Sequence, residues 1–163
     1  MTQYVYKEIT SPTGPLRLIT DGKHLIGVLW KPFDDAEGLI QDAAHPVLVR
    51  TEEQLAAYFA GKRQQFELPL KFIGTDFQKR VWELLLDIPF GQTISYGEMA
   101  KRVGDIKTVR AVGGALNKNP IPIIVPCHRV VGSDGKMVGF GGGVANKIYL
   151  LDLENPKQQL ALW

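Results

Sequence analysis

The sequence predicts two domains of different class. An α/β N-terminal domain, a small antiparallel sheet plus a helix, is expected over residues 1–72, and a mostly α domain with a helix-turn-helix plan over residues 73–163. Three observations carry this. Short runs rich in β-branched and aromatic residues fill the first third. From Thr75 onward the punctuation changes to repeated helix-start and helix-stop signals. With 163 residues, 45% of them hydrophobic, the chain can bury one good core or two small ones, which excludes a disordered or fibrous class.

Taken in order, residues 4–10, 16–20 and 24–30 read as strands of a meander. The first two are separated by Ser11-Pro12-Thr13-Gly14-Pro15. The next two are separated by Asp21-Gly22, which suits a tight hairpin because both residues tolerate positive φ. Thr51 with Gln54 three residues later forms a capping box, so a helix is expected over about residues 52–60, ended by Gly61. Residues 65–72 suit a strand or an extended linker. Thr75 and Gln78 form a second box, opening a helix to about Leu86 with Val81, Leu84 and Leu85 on one face. Ser95 and Glu98 form a third box, and Gly104 closes the short helix it starts. Another helix is expected over about residues 107–117, broken by Asn119-Pro120. Two short helices joined by a Gly-containing turn are the plan of a helix-turn-helix, and equally of an ordinary small helical bundle. An apolar segment over residues 121–131, a turn at Ser133-Asp134-Gly135, a glycine cluster and a last helix over about residues 144–154 complete the chain.

Composition excludes several function classes. No apolar run approaches the roughly 18–20 residues needed to span a bilayer, and residues 1–7 lack the basic-then-apolar plan of a signal peptide. One cysteine cannot form an internal disulfide, and three histidines make a zinc site hard to assemble. A cytoplasmic protein (nuclear in a eukaryote) without metal, cofactor or membrane partner is therefore expected. Net charge is +2, with 8 basic and 9 acidic residues through Thr75 and 11 and 8 from Asp76 onward. The halves thus carry −1 and +3, a weak bias toward a polyanionic partner for the second half.

The chemistry concentrates at Pro126-Cys127-His128-Arg129-Val130-Val131, directly after Ile121-Pro122-Ile123-Ile124-Val125. A lone cysteine is most often a small buried hydrophobe. Here Pro126 prevents the segment from continuing a sheet interior, two polar side chains follow, and Gly139-Phe140-Gly141-Gly142-Gly143 permits close backbone approach. The nucleophile is thiolate, and a free thiol with pKa near 8.5 is mostly protonated at neutral pH. A histidine that takes its proton, directly or through a water, removes that obstacle. An acidic group must then orient the histidine, and Asp134, Asp152 and Glu154 are all candidates.

These residues resemble the O6-alkylguanine-DNA alkyltransferase family. The resemblance is carried by the Cys127 motif and by Arg110-Ala111-Val112-Gly113-Gly114-Ala115, Asn119-Pro120 and Ser95-Tyr96 before it. After it come Gly142-Gly143, Lys147 and Leu150-Leu151-Asp152-Leu153-Glu154. It covers about residues 75–154, while the N-terminal half is similar only in plan. It implies a winged helix-turn-helix-like C-terminal domain and direct-reversal repair: a methyl or larger alkyl group moves irreversibly from O6 of guanine in DNA to Cys127, with O4 of thymine left open as a second site. The resemblance implies that His128 is the base, through a water, and that Glu154 holds His128. Asn119 would tie the recognition helix to the active-site turn, and Tyr96 would hydrogen-bond the guanine ring as it leaves. Arg110 would fill the stack vacated by a flipped base, since an alkylated oxygen inside a duplex is out of in-line reach. Ala111, Gly113 and Gly114 would let the second helix enter the narrow minor groove. Backbone groups of Cys127 and Val130 would accept from the guanine amine, the Gly141 amide would donate to the alkylated oxygen, and Phe140 stands where many members have tyrosine. The implied partner is double-stranded DNA carrying alkylated guanine, bound by a monomer, with cooperativity along DNA left open. Competing readings are a cysteine hydrolase built on Cys127 and His128, which would turn over, and a non-catalytic DNA-binding regulator.

Overall fold

The computed structural model describes residues 3–33, 38–132 and 142–156, in two compact units, residues 1–73 and 74–163. In the first unit β1 (Val5–Ile9), β2 (Leu16–Thr20) and β3 (Leu25–Trp30) form the expected antiparallel meander. The sheet order is β3-β2-β1-β4, because β4 (Ile40–Gln41) adds to β1 in parallel. The sheet is therefore mixed rather than purely antiparallel. A two-residue strand held by a long connection leaves no alternation to read in sequence. Residues 65–72 pair only once, Leu25 with Leu70, and otherwise run as an extended linker.

Helix α1 (Pro46–Phe59) starts six residues earlier than the capping pattern predicts. His45 is its N-cap, its Nδ1 accepting from Val47 N at 3.2 Å, and Pro46 at the first helical position has φ already set. Thr51 lies inside the helix, where its hydroxyl donates to Val47 O at 2.8 Å. Gln54 instead bridges to Glu67, accepting from its N–H and donating to its carbonyl. The false start arose because Thr and Gln satisfy local backbone groups equally well from a helix interior. Leu48, Leu55 and Tyr58 of α1 and Leu16, Leu18, Leu25 and Val28 of the sheet are almost completely buried and form the unit's core.

In the second unit α2 (Asp76–Leu85) carries the predicted capping box complete, with Thr75 Oγ1 accepting from Gln78 N and Gln78 Oε1 from Thr75 N. Helix α3 (Tyr96–Val103) is capped by Ser95, whose Oγ accepts from Glu98 N. The Glu98 carboxylate faces Arg102 at 3.6 Å. A 3₁₀ turn (Ile106–Thr108) leads into α4 (Val109–Asn117), so α3 and α4 follow each other across a short turn. Trp82 of α2 is buried and donates from Nε1 to Ala115 O at 2.8 Å, and Arg80 donates to Val103 O at 3.0 Å. Helix α2 is thus hydrogen-bonded to the C-terminal turns of both α3 and α4. Helix α5 is Val144–Glu154. The β structure among this unit's described residues is one parallel pair, β5 (Ile94–Ser95) with β6 (Val130–Val131). No helix among the described residues is long and apolar enough to cross a membrane.

Candidate active site

Residues 121–131 are not one extended segment. Pro122 and Pro126 lack the N–H a sheet ladder needs. Ile123 adopts φ 74°, a left-handed conformation uncommon for a β-branched side chain. The loop is closed from two sides: Val125 N donates to Ile121 O at 2.9 Å, while Asn119 Nδ2 donates to Val125 O at 2.8 Å and its Oδ1 accepts from Ile121 N at 3.0 Å. Asn119 lies just past the Lys118 C-cap of α4, so its side chain ties the loop to the residues that end the helix. The chain then enters a 3₁₀ turn, Cys127–Arg129. Successive side chains there point about a third of a turn apart rather than to opposite sides. Ile94–Val130 pairing then sets Tyr96, the first residue of α3, beside this turn.

Cys127 is 6% exposed and His128 is fully buried. Burial pushes the Cys127 thiol up to about 11, opposed by a hydrogen bond from the Asn119 amide and by the Lys147 charge. The resting group is a thiol, and a base is needed to make it a nucleophile. His128 Nε2 lies 2.7 Å from Glu154 Oε2. Burial lowers the His128 pKa, Glu154 opposes that, and Arg129 and Lys147 reinforce it, so the ring is neutral at neutral pH. With Nε2–H donating to the carboxylate, Nδ1 carries the lone pair. Among the described residues Nδ1 is the one buried side-chain nitrogen or oxygen without a hydrogen-bond partner in the protein.

Glu154 is also held by Arg129, whose Nε donates to Oε1 at 2.7 Å and Nη2 to Oε2 at 3.1 Å. Burial raises the carboxyl, but His128 and Arg129 outweigh it and hold Glu154 at about 2. Of the three acidic candidates, Glu154 is the one paired with His128. Asp152 is half-buried, and Asp134 lies outside the described residues.

Lys147 is a buried charged residue close to Cys127 and Tyr96. It is 1% exposed, donates from Nζ to Val130 O at 2.7 Å, and sits 5.7 Å from the Tyr96 ring centroid. Burial lowers it to about 8, against the pull of Cys127. The available signal was its position: Lys147, Leu150, Leu151 and Glu154 form the buried stripe of α5 at helical spacing, and charged residues on such a stripe need partners. Burial and then the Cys127 charge raise Tyr96 above the usual phenol value of 10, so its hydroxyl remains a donor. Among the described residues the Val130 and Cys127 carbonyls each accept one bond, from Lys147 and from Val130 N, and a carbonyl oxygen has two lone pairs.

The remaining residues lie on α4. Arg110, Ala111 and Gly114 are exposed, and Gly113 is half-buried. A Cβ placed on Gly113 or Gly114 would meet no atom of the described residues within 4 Å, so packing against them does not require either glycine. Lys101, Arg102 and Lys107 are also exposed around this helix-turn-helix. Phe140 and Gly141 lie outside the described residues. Among the described residues no cluster of three His, Cys, Asp or Glu side chains is placed to hold a metal ion.

Comparison with known proteins agrees across both units. Residues 4–72 match the family described as 6-O-methylguanine DNA methyltransferase, ribonuclease-like domain, and residues 76–156 match its DNA binding domain. The methylated-DNA–protein-cysteine methyltransferase of Mycobacterium tuberculosis is 44% identical over 161 residues, 93% of either chain. That of Methanosarcina acetivorans is 42% identical over 153 residues, 91% of this chain and 97% of its own. The crystal structure of Mycobacterium tuberculosis OGT in complex with DNA has a TM-score of 0.87 at 43% identity, covering 96% of this chain and 98% of that one. The chain belongs to the methylated-DNA–protein-cysteine methyltransferase family.

Proposed function

We propose that this protein repairs alkylated DNA by direct reversal, moving a methyl or larger alkyl group from O6 of guanine to Cys127. The observation that carries this reading is the buried His128–Glu154 pair next to the chain's single cysteine, with Nδ1 left as an acceptor. The thiol proton passes through a water to Nδ1, and Glu154 stabilises the imidazolium that forms. The thiolate sulfur attacks the alkyl carbon, an S–C bond forms as the O6–C bond breaks, and the electron pair stays on the guanine. Tyr96 donates a hydrogen bond to the ring as that charge develops, and Lys147 adds a buried positive charge beside it. The product is a thioether, and no second thiol exists in the chain to remove the alkyl group.

Access requires the base to leave the duplex. Helix α4 suits a shallow minor-groove approach because its exposed side presents Ala111, Gly114 and Arg110 rather than bulky apolar groups. The minor groove is a degenerate code, so binding is independent of sequence. The C-terminal unit then holds both the DNA-binding helix and the acceptor. Relatives from bacteria and archaea, which keep their DNA in the cytoplasm, support action there.

Gly114→Leu separates folding from binding. Its side chain has open space, and replacing a helical glycine stabilises by about 0.5–1 kcal/mol. Thermal stability is therefore expected to hold or rise while duplex affinity falls; unchanged affinity in fluorescence anisotropy would remove this face of α4 from the interface. For the reaction itself, excess methyl-labelled duplex is expected to load one label per protein and then stop. Continued release of product would instead mark a hydrolase.

A further inference from the structure

We propose that Arg129 is a positioning residue for the transfer: its guanidinium takes both oxygens of Glu154 and supplies the positive charge that lets the carboxylate stay ionised while His128 remains a neutral base with Nδ1 open. The inference rests on the alkyl-transfer reading above and adds a residue to it that does not touch the substrate.

The geometry distinguishes Arg129 from a simple packing residue. Its Nε and Nη2 address Oε1 and Oε2 of Glu154 at 2.7 and 3.1 Å, while His128 Nε2 shares Oε2 at 2.7 Å. The third nitrogen, Nη1, donates to Ile88 O at 2.6 Å, and the Phe90 ring centroid lies 5.8 Å from the guanidinium carbon. The turn after α2 therefore fixes the plane of the fork. That turn is held in addition by Asn155, whose Nδ2 donates to Gly91 O at 3.0 Å. Arg129 is 7% exposed and the Glu154 side chain 1%, so water contributes little to balancing either charge.

Charge balance gives the consequence. A buried carboxylate needs a cation close by. If Arg129 were absent, His128, bonded to Oε2 at 2.7 Å, would be left to balance the carboxylate. The pair would then take up a proton, and its favoured home is an imidazolium bonded to the carboxylate, with a hydrogen on Nδ1. That nitrogen could no longer accept the thiol proton. The ionisable groups acting on His128 are Glu154 and Lys147 from α5, and Arg129 from its own turn, with Cys127 adjacent in the chain. Of these, Arg129 and Lys147 disfavour the imidazolium, and Arg129 is hydrogen-bonded to both oxygens of Glu154.

The test is the pH profile of methyl transfer from O6-methylguanine duplex under single-turnover conditions, for the unsubstituted protein, Arg129→Met and Arg129→Lys. In Arg129→Met the acid limb is expected to move up by about one unit, so repair below both midpoints is about tenfold slower, while rates converge on the alkaline side. Lysine restores the charge without the fork and is expected to return the limb most of the way. A uniform loss at every pH, equal for Met and Lys, would mean a purely structural role and overturn the proposal. If Arg129→Met does not fold, ¹⁵N spectra of the unsubstituted protein decide: His128 is expected neutral at pH 7 with the hydrogen on Nε2, and an imidazolium there would overturn it. Failure of the unsubstituted protein to accept any methyl group would instead sink the alkyl-transfer reading itself.

Discussion

Glu154→Gln is expected to slow methyl transfer at neutral pH by roughly 10²-fold or more and to destabilise the fold by about 3–5 kcal/mol. Both effects come from one carboxylate. In the proposed relay, Oε2, 2.7 Å from His128 Nε2, stabilises the imidazolium formed when His128 takes the thiol proton, and an amide cannot. Since the Cys127 thiol rests at about 11, loss of the relay leaves direct ionisation, and the alkylation profile shifts toward alkaline pH. The stability loss follows because the amide leaves the Arg129 charge buried without its counter-ion. Glu154 is depressed from the ordinary 4.5 to about 2. Its contribution is therefore present above about 4.5 and lost as pH falls toward 2. Denaturant melts of the two proteins should differ most at neutral pH and converge in acid. A stability gap that does not change between pH 7 and pH 3, with an unaltered rate profile, would exclude Glu154 from both roles.

Arg110→Ala is expected to have its large effect on a different substrate property. Turning a base out of a duplex costs a few kcal/mol, and in the proposed mechanism Arg110, exposed at the start of α4, offsets part of it by occupying the vacated stack. Losing even about 1.4 kcal/mol of that compensation is a tenfold effect. Repair of duplex O6-methylguanine should therefore fall tenfold or more, while reaction with free O6-benzylguanine, which needs no extrusion, stays nearly unchanged. Equal losses on both substrates would place Arg110 outside base extrusion. The neighbouring exposed cations Lys101, Arg102 and Lys107 predict that the duplex reaction also weakens with salt.

Legibility in the sequence followed how local each feature is. The meander, the Thr75–Gln78 box and the ends of α3, α4 and α5 depend on neighbours in the chain, and those were readable. The start of α1 is hidden in sequence because Thr51 and Gln54 form an equally good local motif inside the helix. Strand β4 is not legible because two residues paired in parallel to β1 carry no period. The 3₁₀ turn at Cys127 has no local signal, since nothing in Ile121-Pro122-Ile123-Ile124-Val125 announces that Ile123 will sit at φ 74°. Composition and spacing narrowed the partner of His128 to three acids. Choosing Glu154 required either the family resemblance or the 2.7 Å contact. Lys147 and Arg129 were visible as letters, but their significance lies in being buried beside an anion and a thiol, which only the fold reveals.

The central claim is that Cys127 is the alkyl acceptor, and intact mass spectrometry after exposure to O6-methylguanine duplex tests it most directly. The expected result is a mass increase of one methyl group per protein, mapped to the peptide bearing Cys127 and absent in Cys127→Ser. Unmodified protein after full exposure, or a methyl group on any other residue, would contradict it.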